Sequence, residues 1–165
     1  MTVTVEEPTT LERQLGAVGA AMTRDVVLLA ADMTAEMALR RLDQKAVSGA
    51  PVVDHGRVAG VITRRDLLVP TLLDDPSSAQ APGRWTRLTG LRVRDLMSSE
   101  PVTAEPNCPL LPAVRRMIDN GVNRLPVVDD AGRPLGVLNR DDVLRVVAGY
   151  DQRHQLRSPA SEARP

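Results

Sequence analysis

Two short segments carry the residues best placed to do chemistry: Thr63-Arg64-Arg65-Asp66 and Asn139-Arg140-Asp141-Asp142. In the first, a hydroxyl stands three residues before a carboxylate; in the second, an amide takes the hydroxyl's place. Spacing alone permits two roles. The pair can cap a helix, with the hydroxyl or amide meeting a free backbone N–H and the carboxylate favoured in the first turn by the dipole. The same groups, with the helix's unpaired N–H donors, can also hold a polar ligand. The roles are compatible, because both use the same orphan donors. Other chemistry finds little footing. His55 and His154 do not lie at metal-ligand spacing from a second ligand. Cys108 precedes Pro109 with no histidine motif near it, and reads as a small packing residue. Neither Gly-x-x-x-x-Gly-Lys-Ser/Thr nor Gly-x-Ser-x-Gly occurs. No nucleophile with its base and no metal cluster emerges, so an enzyme is not expected.

The elements that must position these segments come from an internal repeat. Met22 to Leu68 aligns with Met97 to Leu144. Ala38, Arg40 and Arg41 match Ala113, Arg115 and Arg116, and Pro51-Val52-Val53-Asp54 matches Pro126-Val127-Val128-Asp129. A single residue is inserted in the second copy, in a predicted turn, where insertions cost least. Gly60-Val61, Arg64 and Asp66 then match Gly136-Val137, Arg140 and Asp142.

Each copy starts with a short extended segment, Asp25 to Leu29 or Pro101 to Ala104. A helix follows, with apolar Ala35, Ala38, Leu39, Leu42 and Ala46 at helical spacing in the first copy and Leu110, Ala113, Val114 and Met117 in the second. Thr34 or Asp32 suits the N-cap of the first helix, Pro109 the first position of the second, and Gly121 its end. A hairpin comes next: Val52-Val53, the turn Asp54-His55-Gly56-Arg57, then Val58 to Ile62. The second copy has Val127-Val128, a turn from Asp129 to Gly132, and Leu135 to Leu138. A last helix starts near Arg64 and near Arg140. Each repeat therefore reads β-α-β-β-α. Thr9 to Met22 reads as a helix, with Thr9 and Glu12 at capping-box spacing. Pro70 to Gly90 reads as a linker, with Trp85 as a docking anchor, and Arg157 to Pro165 as a disordered tail.

Composition narrows the function. The chain has 165 residues, 42% of them apolar, enough for a core. Phe is absent, and Trp85 and Tyr150 are the only large aromatics, so aliphatic residues must fill that core and base stacking on aromatics is nearly impossible. Lys plus Arg equals Asp plus Glu at 21 each, which lacks the basic surplus of a nucleic-acid binder. The single cysteine points to a reducing compartment. Met1 to Thr10 lacks the pattern of a signal peptide, and no apolar run approaches the roughly 20 residues of a membrane span. The expectation is a cytoplasmic protein that engages neither nucleic acid nor membrane.

The motifs, taken in order, also resemble those of a known family. Ser48-Gly49-Ala50-Pro51-Val52-Val53-Asp54, Gly60-Val61-Ile62 and Thr63-Arg64-Arg65-Asp66 occur in one copy. Asn123-Arg124-Leu125-Pro126-Val127-Val128-Asp129, Gly136-Val137-Leu138 and Asn139-Arg140-Asp141-Asp142 occur in the other. Each copy resembles a CBS domain, the module named after cystathionine β-synthase, and the resemblance covers roughly residues 18 to 148. It implies an α/β (α+β) fold of two repeats packed with pseudo-twofold symmetry. The corresponding divisions are an N-terminal segment over 1–17, repeats over 18–69 and 91–150, a linker over 70–90, and a tail over 151–165.

The resemblance further implies two clefts between the repeats that take AMP, ADP, ATP, S-adenosylmethionine or a related adenosyl ligand, and a pair that forms homodimers. By this likeness Asp66 and Asp142 would accept from ribose hydroxyls, and Thr63 with Arg64 or Arg65 would hold a phosphate. Asn139 replaces the usual Ser/Thr, beside Arg140. Arg124 would approach the phosphates, where Gly49 in the other copy cannot. Walls for the base would come from Thr23 to Val27 with Ala50 to Val52, and from Val102-Thr103 with Leu125 to Val127. The expected function is a stand-alone regulatory sensor that signals to a separate protein partner. The alternative is a ligand-free scaffold for dimerisation and docking.

Overall fold

The computed structural model describes residues 15–72 and 90–149, with residues 69–72 described by their backbone alone. The Thr9–Glu12 pair, Trp85, Tyr150, His154 and the segment Arg157 to Pro165 lie outside the described residues. In chain order the first repeat holds β1 (Leu29–Ala30), α2 (Ala35–Gln44), β2 (Gly49–Asp54), β3 (Arg57–Thr63) and α3 (Arg64–Leu72), preceded by α1 (Val18–Ala21). The second follows with α4 (Val93–Leu96), β4 (Ser98–Ser99), α5 (Leu110–Asp119), β5 (Arg124–Val128), β6 (Pro134–Asn139) and α6 (Arg140–Val147). The order β-α-β-β-α thus stands in the first repeat. In the second, a single bridge from Ala104 to Val127 replaces the first strand.

Local chemistry explains the long elements. Thr34 caps α2 by accepting from the Met37 N–H at 3.3 Å, and Ala35, Ala38, Leu39 and Leu42 form its buried face. β2 and β3 pair antiparallel across a two-residue turn in which His55 and Gly56 both have positive φ (47° and 78°). That is the hairpin geometry whose twist matches the strands. Across the second hairpin, Asp129 does the work of a turn residue. Its carboxylate accepts from the N–H groups of Ala131 and Arg133 at 3.0 and 2.8 Å and from Arg133 Nε at 2.7 Å.

The two repeats are tied together by exchanged segments. β4, near the start of the second repeat, pairs with β3 of the first through Gly60↔Ser99 and Val61↔Ser98. Reciprocally, Thr23, which opens the first, bridges Val137 on β6. Backbone bonds repeat the exchange: Leu110 N–H donates to Gly16 and Ala35 N–H to Leu91, both at 2.9 Å. The cores follow. Val93 from α4 is buried with Leu29, Leu42, Val52, Ile62 and Leu67 of the first repeat. Val18 and Met22, from the α1 segment, are buried with Leu110, Leu125, Val127 and Leu138 of the second. Each buried Leu, Ile or Val contributes about 1.5–3 kcal/mol, and among the described residues aliphatic side chains with Met22 and Met117 build the cores without an aromatic.

Several sequence expectations are corrected. No continuous helix reaches Met22: Gly16 has φ +73° and Ala17 is extended, leaving α1 only four residues. The interruption lets Ala17 pair with Pro109. Pro109 is the N-cap of α5, not its first helical residue. The expected linker from Pro70 begins as helix, since α3 runs through Pro70 to Leu72. Asp25 to Leu29 yields strand only at its end, because β1 finds its parallel partner only at Val52 and Val53.

Candidate functional site

A cavity of about 780 Å³ opens where the two repeats meet. Its walls come from both. Val26, Val27 and Leu28 approach β1, and Ser48, Gly49 and Pro51 open β2. Thr23, Val137, Asn139 and Asp141 come from the seam with the second repeat. The walls of one copy are thus joined to the helix-start motif of the other, as a result of the strand exchange.

The charges around this cavity are mixed. Arg41 and Lys45 lie one turn apart near the end of α2, Arg124 begins β5, and Asp25 and Asp141 supply carboxylates. Arg124 is the most informative. Its guanidinium donates to the Gly49 carbonyl and, at 2.5 Å, to Ser48 Oγ, so it reaches across from the second repeat to the first. Gly49 leaves no room for a side chain there, since a Cβ would lie 2.5 Å from the Ile62 carbonyl oxygen. Burial lowers the Arg124 pKa below the usual arginine value. A partly desolvated cation of this kind is suited to an anionic group.

The helix-start motifs both act as caps, in different states. Asp66 Oδ2 accepts from Thr63 N–H at 2.8 Å and Thr63 Oγ1 at 2.7 Å, while Asp66 N–H donates to Thr63 Oγ1 at 3.4 Å. Asp66 Oδ1 takes no hydrogen bond among the described residues. Asp142 is buried, and both its oxygens are engaged: Oδ2 by Asn139 N–H and Nδ2 at 2.8 and 3.2 Å, Oδ1 by Thr23 Oγ1 at 3.0 Å and by the Arg145 guanidinium.

Of the residues singled out from sequence, Thr23, Asp25, Val26, Val27, Pro51, Arg124 and Asn139 line the cavity together. Ala50, Val52, Leu125 and Val127 do not; they are buried in the two cores. Alternation along β2 explains this, because Ala50 and Val52 share the core face and Pro51 between them faces the cavity. Thr63, Asp66, Thr103, Arg140 and Asp142 also lie off the cavity lining. Arg64 bonds within its own repeat. Its Nε donates to the Val47 carbonyl at 3.0 Å and its guanidinium to the Leu42 carbonyl at 3.2 Å, with Asp43 at 3.0 Å. It therefore closes the end of α2. Arg41, Lys45, Ser48 and Asp141 line the cavity without having been given a role there from sequence. The basic pair on α2 has i, i+4 spacing, which in sequence resembles an ordinary solvated face.

No group of three or more metal-ligating side chains gathers among the described residues, and none of their helices is long and apolar enough to cross a membrane. Two mixed α+β repeats with exchanged strands and a cavity at their seam define a class of paired-domain proteins. The CBS domain model matches residues 17–69 and 93–149, and the chain belongs to the CBS domain family. A CBS domain-containing protein of Dictyostelium discoideum is 34% identical over 125 residues, which cover 74% of this chain and 85% of that protein. The crystal structure of the CBS-pair protein CBSX2 in complex with AMP superposes with a TM-score of 0.68 at 29% identity, covering 81% of this chain and 97% of that one. The cytosolic domain of the Mg2+ channel MgtE in complex with ATP gives a TM-score of 0.62 at 31% identity. That match covers 81% of this chain and only about half, 52%, of the other.

Proposed function

We propose that this protein is a regulatory module that binds an adenosyl ligand at the seam of its two CBS repeats and passes the bound state to a separate protein. The observation that carries the proposal is the cavity of about 780 Å³ with Arg124 at its wall, partly desolvated and bonded across the seam. A ligand phosphate would draw on that cation and on Arg41 or Lys45. The base would lie against Val27 and Pro51, and Thr23 and Asn139 would supply polar contacts. In the equivalent position of the other repeat, Thr63 and Asp66 form the motif whose carboxylate keeps an open oxygen. Similarity to a CBS pair complexed with AMP and to a channel domain complexed with ATP supports the same ligand class. The exposed apolar residues Met37, Ile118, Leu144 and Val147 lie on helices and favour a homodimer packed through helix faces. A cytoplasmic location fits the single cysteine.

Thermal unfolding with AMP, ADP, ATP and S-adenosylmethionine tests the reading. A ligand at 100 times its dissociation constant adds about 2.7 kcal/mol of stability. No shift with any of the four contradicts the proposal. A second reading, a ligand-free scaffold, is favoured by the saturated Asp142 carboxylate. Nucleotide that copurifies with the protein, seen as excess absorbance at about 260 nm, would exclude that reading, by mass action on a site with real affinity.

A further inference from the structure

Asp142 is the one charged residue that is buried among the described residues, at 1% exposure. A carboxylate offers about four acceptor sites. Four donors already meet this one: Thr23 Oγ1, Asn139 N–H, Asn139 Nδ2 and the Arg145 guanidinium. Thr23 and Asn139 both line the cavity, so the carboxylate sits directly behind its wall. The matching carboxylate of the first repeat differs. Asp66 is only half-buried, meets donors from Thr63 alone, and keeps Oδ1 open among the described residues. The residue three positions after Asp142 is Arg145; the residue three positions after Asp66 is Val69, a residue type whose side chain carries no donor.

We infer that Arg145 is a built-in occupant of the carboxylate behind the cavity wall, a specificity residue that denies Asp142 to a ribose and leaves this cleft to ligands held by their phosphates. The inference rests on the reading that the seam takes adenosyl ligands. For a ribose to bind Asp142, its two neutral hydroxyls must displace a charge-assisted bond from Arg145, an exchange of stronger bonds for weaker ones. A nucleoside, with no phosphate to engage Arg124, has nothing to offset that loss. Arg145 is still reachable by solvent, its side chain being 42% exposed, so the pair is a local latch and not a sealed part of the core. Within one chain, the first repeat's motif then presents an open ribose acceptor and the second repeat's a closed one.

The experiment compares adenosine and AMP binding by calorimetry in the wild type, in Arg145→Val, which installs the residue found at position 69, and in Arg145→Gln. Both variants leave the cavity lining intact, and unfolding curves establish which are folded. The expected result is one further adenosine site per chain in the folded variant, at least tenfold tighter than any adenosine binding at that site in the wild type. AMP, held through Arg124, changes less than adenosine. A stabilising role alone would lower the unfolding midpoint without altering adenosine stoichiometry. Unchanged adenosine stoichiometry and affinity in every folded variant, with normal AMP binding by the wild type, overturns this inference alone. If neither ligand binds the wild type or any variant, the adenosyl reading falls with it.

Discussion

At Arg124 a guanidinium has given up part of its hydration for two acceptors of the opposite repeat, the Gly49 carbonyl and Ser48 Oγ. A phosphate would repay that desolvation better than a neutral carbonyl does. Arg124→Ala is therefore expected to weaken AMP binding by about ten- to a hundredfold, the equivalent of about 1.5–3 kcal/mol for a hydrogen bond to a charged group. Calorimetric titration checks this, and an affinity within twofold of wild type would remove Arg124 from the site. Asp129 supplies a pH dependence of known sign. The Arg133 N–H, then the Arg133 side chain, hold its pKa below the usual carboxylate value. A group with a depressed folded pKa stabilises the fold above its unfolded pKa of about 3.9 and loses that contribution as pH falls through the folded value. Asp129→Asn should flatten the decline of stability with acid below about pH 4, as read from urea unfolding at successive pH values. Thr23, Val27, Arg124 and Asn139, named from the repeat and the family's likeness, come together on the cavity lining. Arg64, expected from the likeness beside a phosphate, bonds the carbonyls of Leu42 and Val47, and spacing alone does not tell which way a long side chain turns.

Among the elements, the exchanged strands are the most exacting. They approach so closely that glycine is required on the receiving strand: a Cβ at Gly136 would lie 2.6 Å from the Thr23 carbonyl oxygen, and one at Gly60 would lie 2.7 Å from that of Ser98. Both obstacles are backbone and cannot rotate aside. Gly136→Ala and Gly60→Ala should each destabilise the protein by about 1–3 kcal/mol, the range for overpacking, in denaturant unfolding. A neutral effect at both would mean that the segments are not paired as described. The helices and hairpins were readable from sequence because apolar spacing, the Thr34 cap and the His55-Gly56 turn are local signals. The exchange was not. Gly60 and Ser99 are far apart in sequence, and two-residue pairings such as Gly60↔Ser99 with Val61↔Ser98 are too short to carry an alternating pattern. The broken helix at Gly16 has the same origin, since Ala17 is extended to meet Pro109.

For the whole molecule, exchange means that neither repeat holds its complete core. Val93 fills the core of the first and Val18 that of the second. The two halves should therefore melt as one unit, with a calorimetric enthalpy equal to the van't Hoff value. Two resolved transitions would show that the repeats fold independently. The same seam makes the cavity, so a ligand bound there touches both repeats at once and can bias the geometry between them. The internal repeat made the paired architecture legible. It could not show which walls face which motif, because that depends on the exchange. The most direct test of the account is a calorimetric titration of the protein with AMP. Saturable binding that is lost or much weakened in Arg124→Ala is expected. A flat titration up to millimolar AMP, with the protein folded, would contradict it.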